Sequence, residues 1–260
     1  MVSLGMVSRM VTDWHFYLVA IPAVMLQGMG KGGFSGLGGL SLPLMCLVLP
    51  PVQAIAIQLP ILMAQDIVGV WAYRRNMHRQ NLLYCLPGIF IGIAVGAYMA
   101  AKVSPSLVQL CVGLIASIFV LVSVGRAAGV ASAAAPDMGK ATLWCSIGGF
   151  TAFIANAGGV PVQVYLMPQK LAPAVFAGTM AVLFAIVNYV KFPVLFSIGQ
   201  VSQSNLLTSA VLLPIAVAST FLGVWMVKHM SGAKFYPIVR VLIFCVGLKL
   251  IWDGIAGLRG

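Results

Sequence analysis

"GMGKGGFSGLGG" (residues 28–39) sets seven glycines and one lysine between two strongly apolar segments. Backbone so permissive breaks a helix instead of continuing it. A fixed positive charge beside such a break needs a physical reason, and that reason depends on what the flanking segments are.

The composition settles the flanks. Of the 260 residues, 61% are hydrophobic and only 7% charged, and the mean hydropathy is +1.05; soluble domains carry about 25% charged residues. The chain reads as an all-α integral membrane protein embedded in a lipid bilayer. Runs at 82–101, 106–124 and 204–227 approach or exceed the roughly 20 apolar residues that cross a bilayer as helix. None shows the alternation of a transmembrane barrel strand. At the N-terminus Arg9 precedes an apolar stretch, but Asp13 interrupts it and no small-residue cleavage site follows. The stretch reads as an uncleaved first helix.

The formal charge is +11, fifteen Lys and Arg against Asp13, Asp66, Asp137 and Asp253, with no glutamate. Basic residues collect in cytoplasmic loops of membrane proteins, so the excess calls for no nucleic-acid partner. A cation pathway would show carboxylates within its spans; their scarcity favours an anionic or neutral substrate. Cys46, Cys85, Cys111, Cys145 and Cys245 stand singly in apolar segments and read as small core residues, not as disulfides or metal ligands. No cofactor or metal is expected.

Ten apolar segments fall into two sets of five: 14–29, 38–50, 52–73, 82–101 and 106–124, then 141–157, 160–169, 171–196, 204–227 and 236–257. The small-residue stretch 125–140 separates them, giving a first repeat over 1–124 and a second over 141–260. Each half runs from an apolar stretch through a glycine pair (Gly38 and Gly39; Gly158 and Gly159) and a short Pro-containing stretch into a long helix. The basic clusters 73–79 and 228–234 belong on the cytoplasmic side. Counting back from each makes the two halves run in opposite senses, an inverted repeat of the kind secondary transporters use.

Segments 38–50 and 160–169, with 13 and 10 residues, are too short to cross about 30 Å as helix. They predict broken or re-entrant hairpins whose glycine tips lie near mid-membrane, where non-helical backbone survives only against protein or a watery cavity. Glycine permits close backbone approach, and a helix starting after each tip would aim N–H groups at an anion.

"GKGGFSGLGGLSLPL" with "PPVQAIAIQLPILMAQDIVGVWAYRR", and "GGVPVQVYLMPQKLAPAVFAGTMAVLFAIVNYVKFP" in the second half, closely resemble the TauE/SafE sulfite exporter family over nearly the whole chain. The resemblance implies transport of small sulfur-containing anions such as sulfite, sulfoacetate and other organosulfonates, usually outward, across a bacterial inner (cytoplasmic) membrane.

The candidate substrate-binding residues follow from the tips: Lys31, Gly32, Gly33, Ser35, Gly38 and Gly39 in the first half, and Asn156, Gly158, Gly159, Gln163 and Tyr165 in the second, with Asn188 on the long helix beyond. Amides and a phenol offer neutral donors to an anion. Lys31 either supplies charge near the midplane or snorkels from a cytoplasmic turn. Asp66, inside segment 52–73, is either a proton carrier or the static partner of Lys31 or Lys191; Lys191 either joins that charge pair or snorkels outward. Thr179 reads equally as a cavity hydroxyl or as bonded to its own helix. Gly88, Gly92 and Gly96 form a small-residue stripe that reads as helix packing, within the chain or at a homodimer interface.

Two other classes compete. "GFSG" (residues 33–36) matches the GxSG of intramembrane serine proteases, but His15, His78 and His229 sit at segment ends or in basic loops, where no general base reaches Ser35. No other enzyme motif occurs. A non-transporting assembly protein would have little use for paired glycine tips ringed by donors.

Overall fold

The computed structural model describes residues 13–34, 37–45, 47–49, 51–99, 102–126, 133–155, 157–197 and 203–259. They form helices and no strand. α1 (Trp14–Lys31) leads through a 3-10 turn (Leu37–Leu40) into α2 (Ser41–Met45); α3 (Pro51–Tyr73), α4 (Arg79–Met99) and α5 (Pro105–Arg126) complete the first half. α6 (Met138–Ala155), α7 (Gly159–Leu166), a 3-10 turn (Met167–Gln169), α8 (Pro173–Ser197), α9 (Gln203–Lys228) and α10 (Gly232–Arg259) form the second. Five stretches within these helices are long and apolar enough to cross a membrane: Gln53–Tyr73, Arg79–Met99, Pro173–Pro193, Asn205–Lys228 and Ala233–Leu258.

The bundle turns large apolar side chains outward, among them Leu18, Ile67, Trp71, Leu83, Tyr98, Trp225 and Trp252, while Gln65, Asp66, Asn81, Gln163 and Thr220 are buried. That distribution suits a hydrocarbon surround, where outward leucines lose nothing and polar groups must be satisfied inside.

Small residues bring the helices together. A Cβ on Gly92 would run into the Ser146 carbonyl, and one on Gly149 would lie 2.5 Å from the Ile89 carbonyl, so α4 and α6 meet backbone to backbone. The Gly88, Gly92 and Gly96 stripe is therefore covered by α6 within the chain, which removes it as a homodimer interface. α1 meets α9 the same way: a Cβ on Gly32 would stand 2.6 Å from the Thr220 carbonyl, and one on Gly223 2.8 Å from that of Met29. The remaining extensive packings are α5 on α10, α3 on α8 and α3 on α9.

Both breaks fold back on the helix before them. Gly33 adopts φ 131°, a conformation open to glycine, and the chain returns so that a Cβ on Gly30 would touch Gly38 N at 2.5 Å. In the second half a Cβ on Gly158 would meet the Gly148 carbonyl and stand 2.6 Å from Ala152 Cβ. α2 has 5 residues and α7 has 8, about 7.5 and 12 Å of helix, far less than a span.

Candidate functional site

The ends of α1 and α6, the two turns and the middle of α8 surround a cavity of about 510 Å³. The first half lends it Lys31, Gly33 and Gly38; the second lends Gly158, Gly159, Gln163, Asn188 and Lys191. Segments more than a hundred residues apart thus converge on one space.

The charged groups are held by geometry. α3 carries Asp66 at 1% exposure, where Lys31 Nζ donates to its Oδ1 at 2.5 Å and Asn188 Nδ2 donates to its Oδ2 at 2.6 Å. One carboxylate joins α1, α3 and α8, and both its oxygens are satisfied, the condition under which a buried ion pair persists. Lys31 Nζ also lies 5.8 Å from the Phe184 ring centroid, within cation–π range. Of the two readings of Asp66, the geometry matches the partner of Lys31. Lys191 is 5% exposed, and its Nζ donates to the Ala152 carbonyl at 2.7 Å. It borders the cavity and does not snorkel outward.

Other expected site residues lie elsewhere. Gly32 is spent on the contact with α9, and its carbonyl accepts from the Tyr73 hydroxyl at 2.5 Å. The Tyr165 hydroxyl donates to Asn81 Oδ1 at 2.8 Å, and Asn81 Nδ2 donates to Gln169 Oε1 at 2.7 Å, a cluster that ties the second hairpin to α4. Thr179 donates to the Val175 carbonyl of its own helix and accepts the His78 amide, so it joins a loop to α8. Gly39 falls in the 3-10 turn. Ser35 and Asn156 lie outside the described residues. The helix-end argument weakens on the first side: α2 has 5 residues, too few for a sizeable dipole, which leaves the lysines as the stronger source of positive potential.

The histidines keep to helix ends. His15 pairs with Asp13, His78 Nδ1 accepts from the Asn81 amide, and His229 Nδ1 contacts the Trp225 carbonyl.

The sequence reading passed over Gln27, Gln58 and the Lys249–Asp253 pair, all of which border the cavity. Gln27 Nε2 donates to Gln58 Oε1 at 3.3 Å, and Gln58 Nε2 donates to Ser41 Oγ at 3.0 Å. The amide oxygens of Gln27 and Gln163 are buried without a protein partner, so each could accept from a ligand hydroxyl or a water. A glutamine inside an apolar helix is costly unless it has such work; that was the available signal.

The sequence model of the family described as Sulfite exporter TauE/SafE matches residues 20–250. The chain belongs to that family, whose members are membrane transporters. No curated protein and no solved structure matches it.

Proposed function

From that membership, we propose that the chain is a secondary transporter that exports small sulfur-containing anions, such as sulfite or sulfoacetate, from a bacterial cell across its inner membrane. The observation that carries this reading is the single cavity bordered by both glycine turns and by Lys31, Asn188 and Lys191. It offers ammonium and amide donors to an oxyanion and little carboxylate surface to repel one. An inverted repeat underlies the motion. Exchanging the halves turns the α1–α9 packing into α6–α4 and leaves α5–α10 and α3–α8 as they are, which is the pattern in the packing of this bundle. Both turns then enter the membrane from opposite faces, and one repeat rocks against the other to open the cavity to each side in turn.

Export of an anion from a negative-inside cell gains about 2.3 kcal/mol per charge per 100 mV, so uniport needs no coupling ion. Asp66, engaged at both oxygens by Lys31 and Asn188, serves this scheme as a structural counter-ion. The test is efflux from proteoliposomes holding sulfite, sulfoacetate, thiosulfate, taurine or sulfate, under an imposed potential. Protein-dependent efflux of at least one sulfur anion, faster when the inside is negative, is expected. Efflux no faster than from empty liposomes for all five would remove the reading.

A further inference from the structure

The ends of α3 and α9 carry a separate pair of cations, outside the wall of the cavity. Arg74, just past the last residue of α3, donates through Nη1 to the Trp71 carbonyl at 3.0 Å. Lys228, the last residue of α9, donates through Nζ to the next carbonyl, that of Ala72, at 3.0 Å. Successive carbonyls thus hold two cations side by side. Each also stands over a ring: Arg74 Cζ lies 4.9 Å from the Trp71 centroid, and Lys228 Nζ lies 5.7 Å from that of Tyr73. Neither cation forms an ion pair among the described residues. The chain has no glutamate, and its four aspartates are engaged elsewhere: Asp13 accepts the His15 amide, Asp66 pairs with Lys31, Asp137 accepts the Lys140 amide and Asp253 pairs with Lys249. Below the cations the surface is apolar. Trp71 and Trp225 are exposed, Trp71 meets Phe221 edge to face at 6.2 Å, and the exposed Ile67 continues the strip one turn earlier on α3.

We infer that this corner, on the face where both basic clusters are expected, binds an anionic phospholipid. Its phosphate is held between Arg74 and Lys228, and its chains lie along Ile67, Trp71 and Phe221. Capping the end of α3 accounts for one donor of each cation; the remaining donors are left for a ligand. Two cations fixed together call for an anion, and the apolar strip that runs on from them selects a lipid over a free phosphate. A choline or ethanolamine headgroup carries the same phosphate, but it brings its own ammonium beside two cations with no carboxylate to receive it. Bound there, the lipid bridges α9 and the end of α3, the helix that carries Asp66.

The experiment titrates the purified full-length protein, in an uncharged detergent at pH 7, with brominated phosphatidylglycerol or with brominated phosphatidylcholine of the same chains. Quenching of tryptophan fluorescence is read, since bromines at this corner lie beside Trp71 and Trp225. Wild type is expected to bind phosphatidylglycerol about tenfold more tightly. Arg74→Gln/Lys228→Gln should lose that preference, whereas Arg74→Lys/Lys228→Arg, which keeps both charges, should retain most of it. Arg79→Gln/Lys234→Gln takes the same charge from exposed residues of the same two basic clusters and should leave the preference close to wild type. Equal affinity of wild type for both lipids, or an equal loss in the two charge-removing variants, overturns the site and leaves a general attraction to the basic face. Displacement of phosphatidylglycerol by an equimolar amount of inorganic phosphate overturns the lipid as ligand. Methanesulfonate, a probe of the cavity, should bind Arg74→Gln/Lys228→Gln as it binds wild type. Loss of both ligands in that variant while monodisperse overturns the separation of this corner from the cavity. The efflux reading of the cavity stands or falls by its own assay.

Discussion

In the first hairpin the chain leaves α1 at Lys31, turns through Gly33 and returns with Gly38 against Gly30; in the second it leaves α6, turns at Gly158 against Gly148 and enters α7. Each presents the C-terminal end of a helix, with its exposed carbonyls and partial negative charge, to the same cavity. Each end has a lysine, but from a different place. Lys31 is the last residue of α1, whereas α6 receives Lys191 from α8. Lys191 stands eighteen residues after Pro173, the first residue of α8, and the residue eighteen after Pro51 in α3 is Gly69, whose Cβ would lie 3.6 Å from the Lys31 carbonyl. The corresponding positions therefore face corresponding helix ends, one carrying a cation and the other nothing. Asp66 and Asn188 each follow the same prolines by fifteen residues and hydrogen-bond to one another. Lys31 and Lys191 thus reach one cavity from different places along the two halves, one from the end of α1 and the other from within α8.

The largest effect expected from that difference is on stability. Lys31→Gln strands Asp66, a carboxylate at 1% exposure, and removing one member of a buried pair costs about 3–5 kcal/mol. Lys191→Gln forfeits the charge-assisted bond to the Ala152 carbonyl, about 1.5–3 kcal/mol. Denaturation in detergent should rank Lys31→Gln below Lys191→Gln, with Lys31→Gln/Asp66→Asn recovering much of the loss. The opposite ranking would mean that the second half, not the first, holds the ion pair that matters for folding.

The backbone of the turns gives the next contrast. Gly158→Val sets a Cβ against the Gly148 carbonyl, main chain that cannot rotate away, whereas a Cβ on Gly38 meets nothing closer than 3.8 Å. Overpacking at Gly158 is expected to destabilise by about 1–3 kcal/mol or more. Gly38→Val should fold nearly as well as wild type and lose efflux by filling the cavity. Comparable unfolding midpoints for the two variants would show that the second turn yields more than its packing implies.

Much of this frame was legible in the chain. Runs read at 82–101, 106–124 and 204–227 became Arg79–Met99, Pro105–Arg126 and Gln203–Lys228, because uninterrupted apolar length has one outcome in lipid. The breaks after Lys31 and at Gly158 were legible because glycine clusters end helices. The choice of Lys31 as the partner of Asp66 was not, since it depends on how α1, α3 and α8 cross, and periodicity carries no such information. Gln27, Gln58 and Ser41 were missed for a related reason: scattered single polar residues acquire meaning only when folding brings them into one line. Tyr165 and Gly32 stood beside the right tips, but one faces Asn81 and the other α9; sequence proximity to a turn does not set the direction of a side chain.

The smallest effects separate the tethers that hold the two hairpins. Ser41 Oγ accepts from Gln58, which borders the cavity; once the hydroxyl is removed, the Gln58 amide can still turn to the cavity or to water. Ser41→Ala should therefore cost about 0.5–1.5 kcal/mol and alter anion affinity, because Gln58 and its neighbour Gln27 are released together. The Tyr165 hydroxyl donates to Asn81, a side chain at 0% exposure and away from the cavity. Tyr165→Phe leaves the Asn81 carbonyl without that donor in a dry setting, about 1–3 kcal/mol, and should leave affinity close to wild type. Measured side by side, unfolding midpoint and methanesulfonate affinity should move in opposite proportions: more stability lost in Tyr165→Phe, more affinity changed in Ser41→Ala. A Tyr165→Phe variant that unfolds like wild type but binds tenfold more weakly would return Tyr165 to the cavity wall and put the tether of the second hairpin elsewhere.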